Sequence, residues 1–199
     1  MEDRIQKAVE LFKSGYNCSQ SVVAAFADMY GFTQEQALRM GASFGGGIGR
    51  MRETCGAACG MFLVAGLETG ATEATDREGK AANYAVVQEL AAEFKKRNGS
   101  LICGELLGLK KKDPVSTIPE ERTAQYYSKR PCAKMVEEAA RIWSEYLEKH
   151  PKCGPRMLFY YKNGKKVLNK VLYNIKITIF ASEIKSESLL DRMILSMSN

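Results

Sequence analysis

Apolar residues recur at helical spacing through the first 150 residues, in runs that stop at glycine, serine or proline. Strand-like alternation is nearly absent from this part of the chain. The pattern therefore predicts an all-α fold, an antiparallel bundle of about six to eight helices whose short connections make successive helices neighbours. The predicted helices span residues 4–13, 18–30, 33–42, 55–66, 75–97, 101–107, 120–127 and 131–150.

Polar residues at three of the predicted helix starts suit the N-cap position, where a side chain accepts a hydrogen bond from an unpaired N–H group. Asn17 precedes the second helix and Thr54 precedes the fourth. Thr33 and Gln36 fit a capping box at the start of the third helix. We therefore expect these residues to fix where the helices begin.

The helical pattern breaks at residues 150–155, where two prolines and a glycine interrupt it. We predict a helical domain over residues 1–150 and a separate tail over residues 151–199. The tail carries nine Lys or Arg and three Asp or Glu, so it accounts for the whole net charge of +6. Since the helical domain is neutral overall, its charge gives no reason to predict a nucleic-acid partner.

β-forming residues dominate two stretches of the tail, 157–161 and 167–180. Asn163-Gly164 lies between these stretches and suits a tight hairpin turn. The basic tail is therefore predicted to form a β-ribbon, and its role stays open.

The chain has a single histidine, His150, at the end of the last predicted helix. Ser-His-Asp hydrolysis, Cys-His proteolysis and His-rich zinc sites need histidines that the chain lacks, so these classes are excluded. The longest charge-free apolar stretch, residues 54–67, is shorter than the ~18–20 residues that a membrane-spanning helix needs. No apolar signal core follows the charged first residues. We expect a soluble, cytoplasmic protein with no membrane partner.

Six cysteines against one histidine direct attention to sulfur chemistry. Four of these cysteines stand in the first turn of a predicted helix. Unpaired N–H groups and the positive end of the helix dipole favour a thiolate at that position, so these four are the candidate catalytic residues. The four are Cys18, Cys55, Cys103 and Cys132.

Single helices without such a cysteine separate the four cysteine-bearing helices along the chain. If successive helices alternate up and down, the four cysteine-bearing helices all run in one direction. Their first residues then gather at one end of the bundle, and so do the four thiols. The same four cysteines would then supply a metal site that needs no histidine.

Two cysteines have a less certain place in this scheme. Cys59 follows Cys55 by one helical turn, on an apolar stripe that continues to Gly66. Its interpretation stays open between an additional metal ligand and a small buried hydrophobic residue. Cys153 lies in the breaker segment after the last helix and is expected to be incidental.

The glycine loop of residues 44–50 lacks the context of a phosphate-binding loop, because no strand precedes it and no Gly-Lys-Ser/Thr follows. We expect its glycines to let the backbone pass close to the thiols and to leave N–H groups for thiolates or a cofactor. Arg50 and Arg52 either lower thiol pKa values or are solvated loop charges. The predicted cofactor-binding glycines are Gly45, Gly46, Gly47 and Gly56.

Five segments together resemble the C_GCAxxG_C_C family of small, four-cysteine, redox-active proteins, which are mainly bacterial and archaeal. The resemblance covers about residues 3–150 and implies that the four candidate cysteines are the characteristic cysteines of the family. Where the family name has Gly-Cys-Ala, this chain has Cys-Gly-Ala at residues 55–57. The segments are Asn17-Cys18-Ser19-Gln20, Phe44-Gly45-Gly46-Gly47, Cys55-Gly56-Ala57-Ala58-Cys59-Gly60, Cys103-Gly104-Glu105-Leu106-Leu107-Gly108 and Arg130-Pro131-Cys132.

The resemblance extends to a helical domain of split-Soret-type cytochromes, whose cysteines are associated with an iron–sulfur cluster. It therefore implies an iron–sulfur cluster as one candidate cofactor, beside the zinc that four thiolates would also suit. Covalent haem is not supported, because the chain has no Cys-x-x-Cys-His motif.

Three function classes follow from these observations. The favoured one is a dithiol–disulfide or electron-transfer protein, which as an enzyme would be a thiol-based oxidoreductase with an unidentified redox partner. The second is a four-cysteine metal or iron–sulfur protein, and the third is a structural bundle with inert cysteines. Within the first class, Cys55 between Thr54 and Gly56 is predicted to be the most reactive thiol.

Overall fold

The computed structural model describes residues 1–110, 116–151, 159–162 and 165–168 of the 199-residue chain. The chain divides into two units, Met1–His150 and Pro151–Asn199. The predicted all-α fold is confirmed for the first unit, whose described residues form eight α-helices and two 3-10 turns. The helices are α1 Glu2–Lys13, α2 Cys18–Phe26, α3 Gln34–Gly41, α4 Gly56–Thr69, α5 Arg77–Asn98, α6 Cys103–Leu106, α7 Ala124–Lys129 and α8 Cys132–Lys149, and the 3-10 turns are Ala27–Tyr30 and Ala42–Phe44.

Two short strands are described in the second unit. Strand β1, Phe159–Lys162, pairs antiparallel with β2, Lys165–Leu168. The turn predicted at Asn163-Gly164 and residues 169–180 lie outside the described residues, as does Cys153. The β-ribbon of the tail therefore stays a prediction.

The core of the first unit lies where α2, α4 and α8 pack against one another, with α1 against α2 and α8, and α5 against α4 and α8. Its largest fully buried side chains are aromatic, and each contributes about 1.5–3 kcal/mol through burial. Helix α4 is rich in glycine and alanine, which lets its neighbours approach closely. The prediction that the apolar stripe of α4 continues to Gly66 is wrong, because Gly66 is exposed. The buried aromatic residues are Trp143, Phe12, Phe26 and Phe94.

Two predicted caps are confirmed, and each closes a capping box. The Asn17 side chain accepts from the Gln20 N–H at 3.0 Å, and the Gln20 side chain accepts from the Asn17 N–H at 3.1 Å. Thr33 and Gln36 form the same reciprocal pair at the start of α3. These bonds satisfy N–H groups that have no partner within the helix, so they fix the first residues of α2 and α3.

The seventh helix begins later than predicted. It starts after Thr123, whose hydroxyl accepts from the Tyr126 N–H at 3.2 Å, rather than at Glu120. At the other end of the domain, His150 follows α8 as an exposed residue and its ring stacks on Tyr146 at 4.3 Å. Among the described residues, no helix is both long and apolar enough to cross a membrane.

Candidate functional site

All four predicted site cysteines line one cavity of about 300 Å³. Three of them are the first residues of helices α2, α6 and α8, and the fourth immediately precedes α4. The cavity therefore lies where four helix starts meet, as the alternation of helices predicts. All four are free thiols, with Cys55 and Cys103 buried and Cys18 and Cys132 partly buried.

A short backbone pairing before α4 and α6 places Cys55 beside Cys103. Thr54 and Ile102 form an isolated antiparallel β-bridge. The Cys55 N–H donates to the Leu101 carbonyl at 2.7 Å, and the Cys103 N–H donates to the Glu53 carbonyl at 2.6 Å. The prediction that Thr54 caps α4 is wrong: the N-cap residue is Cys55, and Thr54 belongs to the bridge.

Asn17 fixes the start of α2 against the loop that carries the glycines. Its Nδ2 donates to the Ala42 carbonyl at 3.0 Å, while Nε2 of Gln20 donates to the Leu38 carbonyl at 3.1 Å. Both amides therefore serve the capping box and tie α2 to α3 and the following 3-10 turn. This arrangement holds Cys18 at the cavity wall.

The second half of the glycine loop bonds to its first half through the backbone. N–H groups from Ile48 to Glu53 donate to carbonyl oxygens of residues 43–48, so these groups are engaged within the loop and not with the thiols. Three residues of this loop that are not glycine also have the positive φ angles of left-handed backbone: Ile48, Arg50 and Arg52. Of the glycines predicted to bind a cofactor, Gly45, Gly46 and Gly56 line the cavity, whereas Gly47 packs against Cys103.

Replacing Gly47 with alanine is expected to destabilise the domain by about 2–4 kcal/mol. Gly47 has a φ of +76°, and a Cβ atom there would lie 2.5 Å from Cβ of Cys103 and 2.9 Å from the Arg52 backbone. Both the left-handed backbone and the overlap disfavour a side chain. Urea unfolding of the reduced protein measures the effect.

Gly66→Ala is the matched control for this substitution. Gly66 lies in α4, where a Cβ atom would meet nothing within 4 Å. Alanine should therefore stabilise the helix by about 0.5–1 kcal/mol. A Gly47→Ala protein as stable as the Gly66→Ala protein would contradict the close approach to Cys103.

Four arginines surround the thiols, with one carboxylate among them. Side chains of Arg50, Arg52 and Arg130 are only 20%, 19% and 20% exposed. Glu120 Oε1 lies 3.7 Å from Arg50 Nη2 and 3.9 Å from Arg52 Nη2, and it also accepts from Arg130. The interpretation of Arg50 and Arg52 as solvated loop charges is therefore wrong. Arg122, the fourth, lies 4.6 Å from the rings of Phe12 and Tyr126.

Cys18 and Cys132 line the same cavity and differ in acidity. The hydrogen bond from Cys18 lowers the pKa of Cys132 to about 7, assisted by the positive charges of Arg130, Arg122 and Arg52 and opposed by burial. The same hydrogen bond, with burial and the neighbouring thiols, raises the pKa of Cys18 well above its usual value. Cys132 is thus the thiolate of the pair, and Cys18 is the thiol that donates to it.

The other thiols stay protonated at neutral pH. Burial raises the pKa of Cys55 to about 12, although the Ala58 and Ala57 N–H groups oppose the shift. The hypothesis that Cys55 is the most reactive thiol is therefore wrong, because its position inside the protein outweighs the helix start. Burial also raises the pKa of Cys103.

Cys59 differs from the other four cysteines because it does not line the cavity. Its thiol donates to the Thr54 carbonyl at 3.8 Å, and burial raises its pKa to about 11. It does not belong to the described lining of the cavity. These contacts favour the small buried hydrophobic residue over the metal ligand.

The donor set of four thiols suits a metal ion or an iron–sulfur cluster chemically. Within residues 1–110 and 116–151, however, no group of three or more His, Cys, Asp or Glu side chains is arranged to hold a metal ion. We therefore derive no step through a metal, and the metal site stays a prediction.

Three charged residues of the cavity wall, Arg122, Glu120 and Arg130, have no role predicted from the sequence. Arg122 and Glu120 lie in the predicted helix of residues 120–127, which carries no motif, and Arg130 belongs to the segments of the family resemblance. One signal was available: Arg130 stands two residues before Cys132, close enough to act on its charge. For Arg122 and Glu120, the chain offered no comparable indication.

The fold and site define a helical protein with a four-cysteine, arginine-lined cavity, a class suited to thiol chemistry. A family model described as "Putative redox-active protein (C_GCAxxG_C_C)" matches residues 16–146. The chain belongs to this family, which confirms the resemblance seen in its sequence. No curated protein and no solved structure matched the chain.

Proposed function

We propose that the protein is a dithiol–disulfide redox protein in which Cys132 and Cys18 cycle between two thiols and a disulfide. The observation that carries this proposal is that Cys18 and Cys132, the first residues of α2 and α8, line the same small cavity, where their interaction lowers the pKa of Cys132. A disulfide needs the two Cβ atoms about 3.5–4.5 Å apart, so cysteines that share one cavity wall are the candidates for the bridge. The pair combines a thiolate, the attacking species in exchange, with a second thiol ready to resolve the product.

The reaction with a disulfide acceptor takes two steps. The Cys132 thiolate attacks one sulfur of the acceptor, which forms a mixed disulfide and releases the first product thiolate. Cys18 then gives up its proton to that thiolate and attacks the Cys132 sulfur, which releases the second product. Starting from the Cys132 thiolate, the protein loses two electrons and the one proton of Cys18, and the acceptor leaves as one thiol and one thiolate, which takes its proton from water.

Arg130, Arg122 and Arg52 support this chemistry by stabilising the negative charge on Cys132. Cys55 and Cys103 remain thiols and form part of the cavity wall. The redox partner is expected to be a thiol or disulfide compound.

Disulfide mapping tests the proposal directly. The anaerobically purified, reduced protein is oxidised with a limiting small disulfide, the remaining thiols are alkylated, and peptides are identified by mass spectrometry. We expect one disulfide, Cys18–Cys132, to form first. Cys18→Ser and Cys132→Ser proteins should lose it, and Cys59→Ser, altered outside the cavity, should keep it.

The same purified protein distinguishes the metal alternative. Metal analysis and visible absorption should show a colourless protein without stoichiometric iron or zinc. A brown protein with charge-transfer absorption would support an iron–sulfur site instead of the dithiol. Stoichiometric zinc that is lost when the cavity cysteines are replaced would support a zinc site. Thiols that stay unreactive in the folded protein would support the structural bundle instead.

A further inference from the structure

The cavity wall carries an excess of positive charge. Its described lining residues include four guanidinium groups and a single carboxylate, that of Glu120. Even with Cys132 as a thiolate, the wall stays positive. Three of the arginine side chains are about four-fifths buried, so water does little to neutralise them. Buried charge is costly unless it is paired, and one carboxylate cannot pair with four cations.

A guanidinium nitrogen in the same wall lacks an acceptor. Nη1 of Arg122 is buried and has no hydrogen-bond partner among the described residues, while Nη2 donates only a long bond of 3.3 Å to the Tyr16 carbonyl. The faces of Phe12 and Tyr126 hold this guanidinium in place at 4.6 Å each. A buried donor without an acceptor is costly, and a bound anion would supply the missing acceptor.

Glu120 shows which ligand these arginines accept. Its carboxylate reaches Arg50, Arg52 and Arg130 from a segment without regular secondary structure, and its side chain is 45% exposed. The planar, forked guanidinium matches a carboxylate through two parallel hydrogen bonds. An incoming carboxylate can therefore take the place of Glu120 without any change in the helices.

We propose that the cavity binds a small substrate that carries a carboxylate, held by Arg50, Arg52, Arg122 and Arg130 where Glu120 now lies, with its reactive atom facing Cys132. The proposal rests on the proposed function for the reactive thiolate. A volume of about 300 Å³ corresponds to about ten water molecules, which suits a small molecule. A carboxylate-bearing disulfide of low molecular weight is the chemical class that meets both requirements.

Two alkylating reagents of nearly equal size test the charge preference. Iodoacetate and iodoacetamide both lose iodide to a thiolate, and they differ by the carboxylate. Rates at Cys132 are measured by peptide mass spectrometry at a pH well above its pKa, in the folded and the unfolded protein. The ratio of the iodoacetate rate to the iodoacetamide rate is expected to be about tenfold higher in the folded protein and to fall at high salt.

Variants identify the groups responsible for the ratio. Arg50→Gln removes a guanidinium other than the three named causes of the lowered Cys132 pKa, which are Arg130, Arg122 and Arg52. It should reduce the ratio several-fold, whereas Arg50→Lys should retain most of it. Glu120→Gln removes the competing carboxylate and should raise the ratio. Arg39→Gln is the control, because Arg39 is 80% exposed on α3 and pairs only with its neighbour Glu35.

A second measurement is independent of thiol reactivity. In a Cys132→Ser protein, citrate should raise the thermal midpoint relative to chloride at equal ionic strength, and Arg50→Gln should abolish the shift. The carboxylate site is overturned, and the dithiol proposal is left intact, if two results occur together. The ratio of the iodoacetate rate to the iodoacetamide rate is then the same in the folded and the unfolded protein, and citrate does not raise the thermal midpoint. A citrate shift with an unreactive Cys132 would support the site and overturn the dithiol.

Discussion

At pH 7, Cys132 is expected to react with iodoacetamide about a thousand times faster than Cys55. Their pKa values of about 7 and about 12 differ by five units, so the thiolate population differs by about 10⁵. A thiolate of lower pKa is also a weaker nucleophile, which reduces the expected rate ratio by about two powers of ten. Burial of Cys55 adds to the difference. Site-resolved alkylation rates against pH provide the measurement, and the Cys132 profile should have its midpoint near 7.

The hydrogen bond from Cys18 accounts for the largest part of the Cys132 shift. Cys18→Ala should therefore move the midpoint of Cys132 upward, towards the ordinary thiol value, and Cys18→Ser should restore part of the shift because its hydroxyl can donate. A midpoint of Cys132 at the ordinary value in the unaltered protein would contradict the thiolate assignment, as would a faster reaction at Cys55.

Oxidation of the Cys18–Cys132 pair is expected to stabilise the domain by about 4–5 kcal/mol. The disulfide would join the starts of α2 and α8 and close a loop of about 115 residues, and cross-linking a loop of that length removes much of the entropy of the unfolded chain. Guanidinium chloride unfolding of the reduced and the oxidised protein, each in an inert atmosphere, measures the difference in the free energy of unfolding.

A Cys18→Ser, Cys132→Ser double variant is the control for this stabilisation. It should unfold at the same denaturant concentration under reducing and oxidising conditions, while Cys59→Ser should keep the dependence on oxidation. Equal stability of the two redox states in the unaltered protein would show that oxidation does not link α2 to α8. A stabilisation that survives in the double variant would assign the link to other cysteines.

Helix limits were accessible from the sequence because they depend on neighbouring residues. Asn17 and Thr33 cap α2 and α3 through bonds that span three residues, so spacing alone predicts them. Thr54 looks the same in the sequence and does not cap a helix, because Ile102, far away in the chain, pairs with its backbone. Local rules fail where a distant segment offers a competing hydrogen-bond partner.

The sequence also indicated which cysteines belong together, since helix starts and the order of helices predict a common end of the bundle. It could not rank their acidity. The pKa of Cys132 depends on Cys18, on Arg122 and on Arg52, none of which is near it in the chain. Cys55 has the more open helix start in the sequence, yet burial in the folded domain raises its pKa to about 12.

Composition and short-range pattern by themselves therefore determined the helical class, the family and the four cysteines of the site. Only the tertiary structure decided that Cys18 and Cys132 share a cavity wall, that four arginines line it with them, and that Glu120 lies among these arginines. The physical reason is that capping and apolar periodicity act over a few residues, whereas desolvation and Coulomb interactions depend on distances between atoms that folding alone brings together.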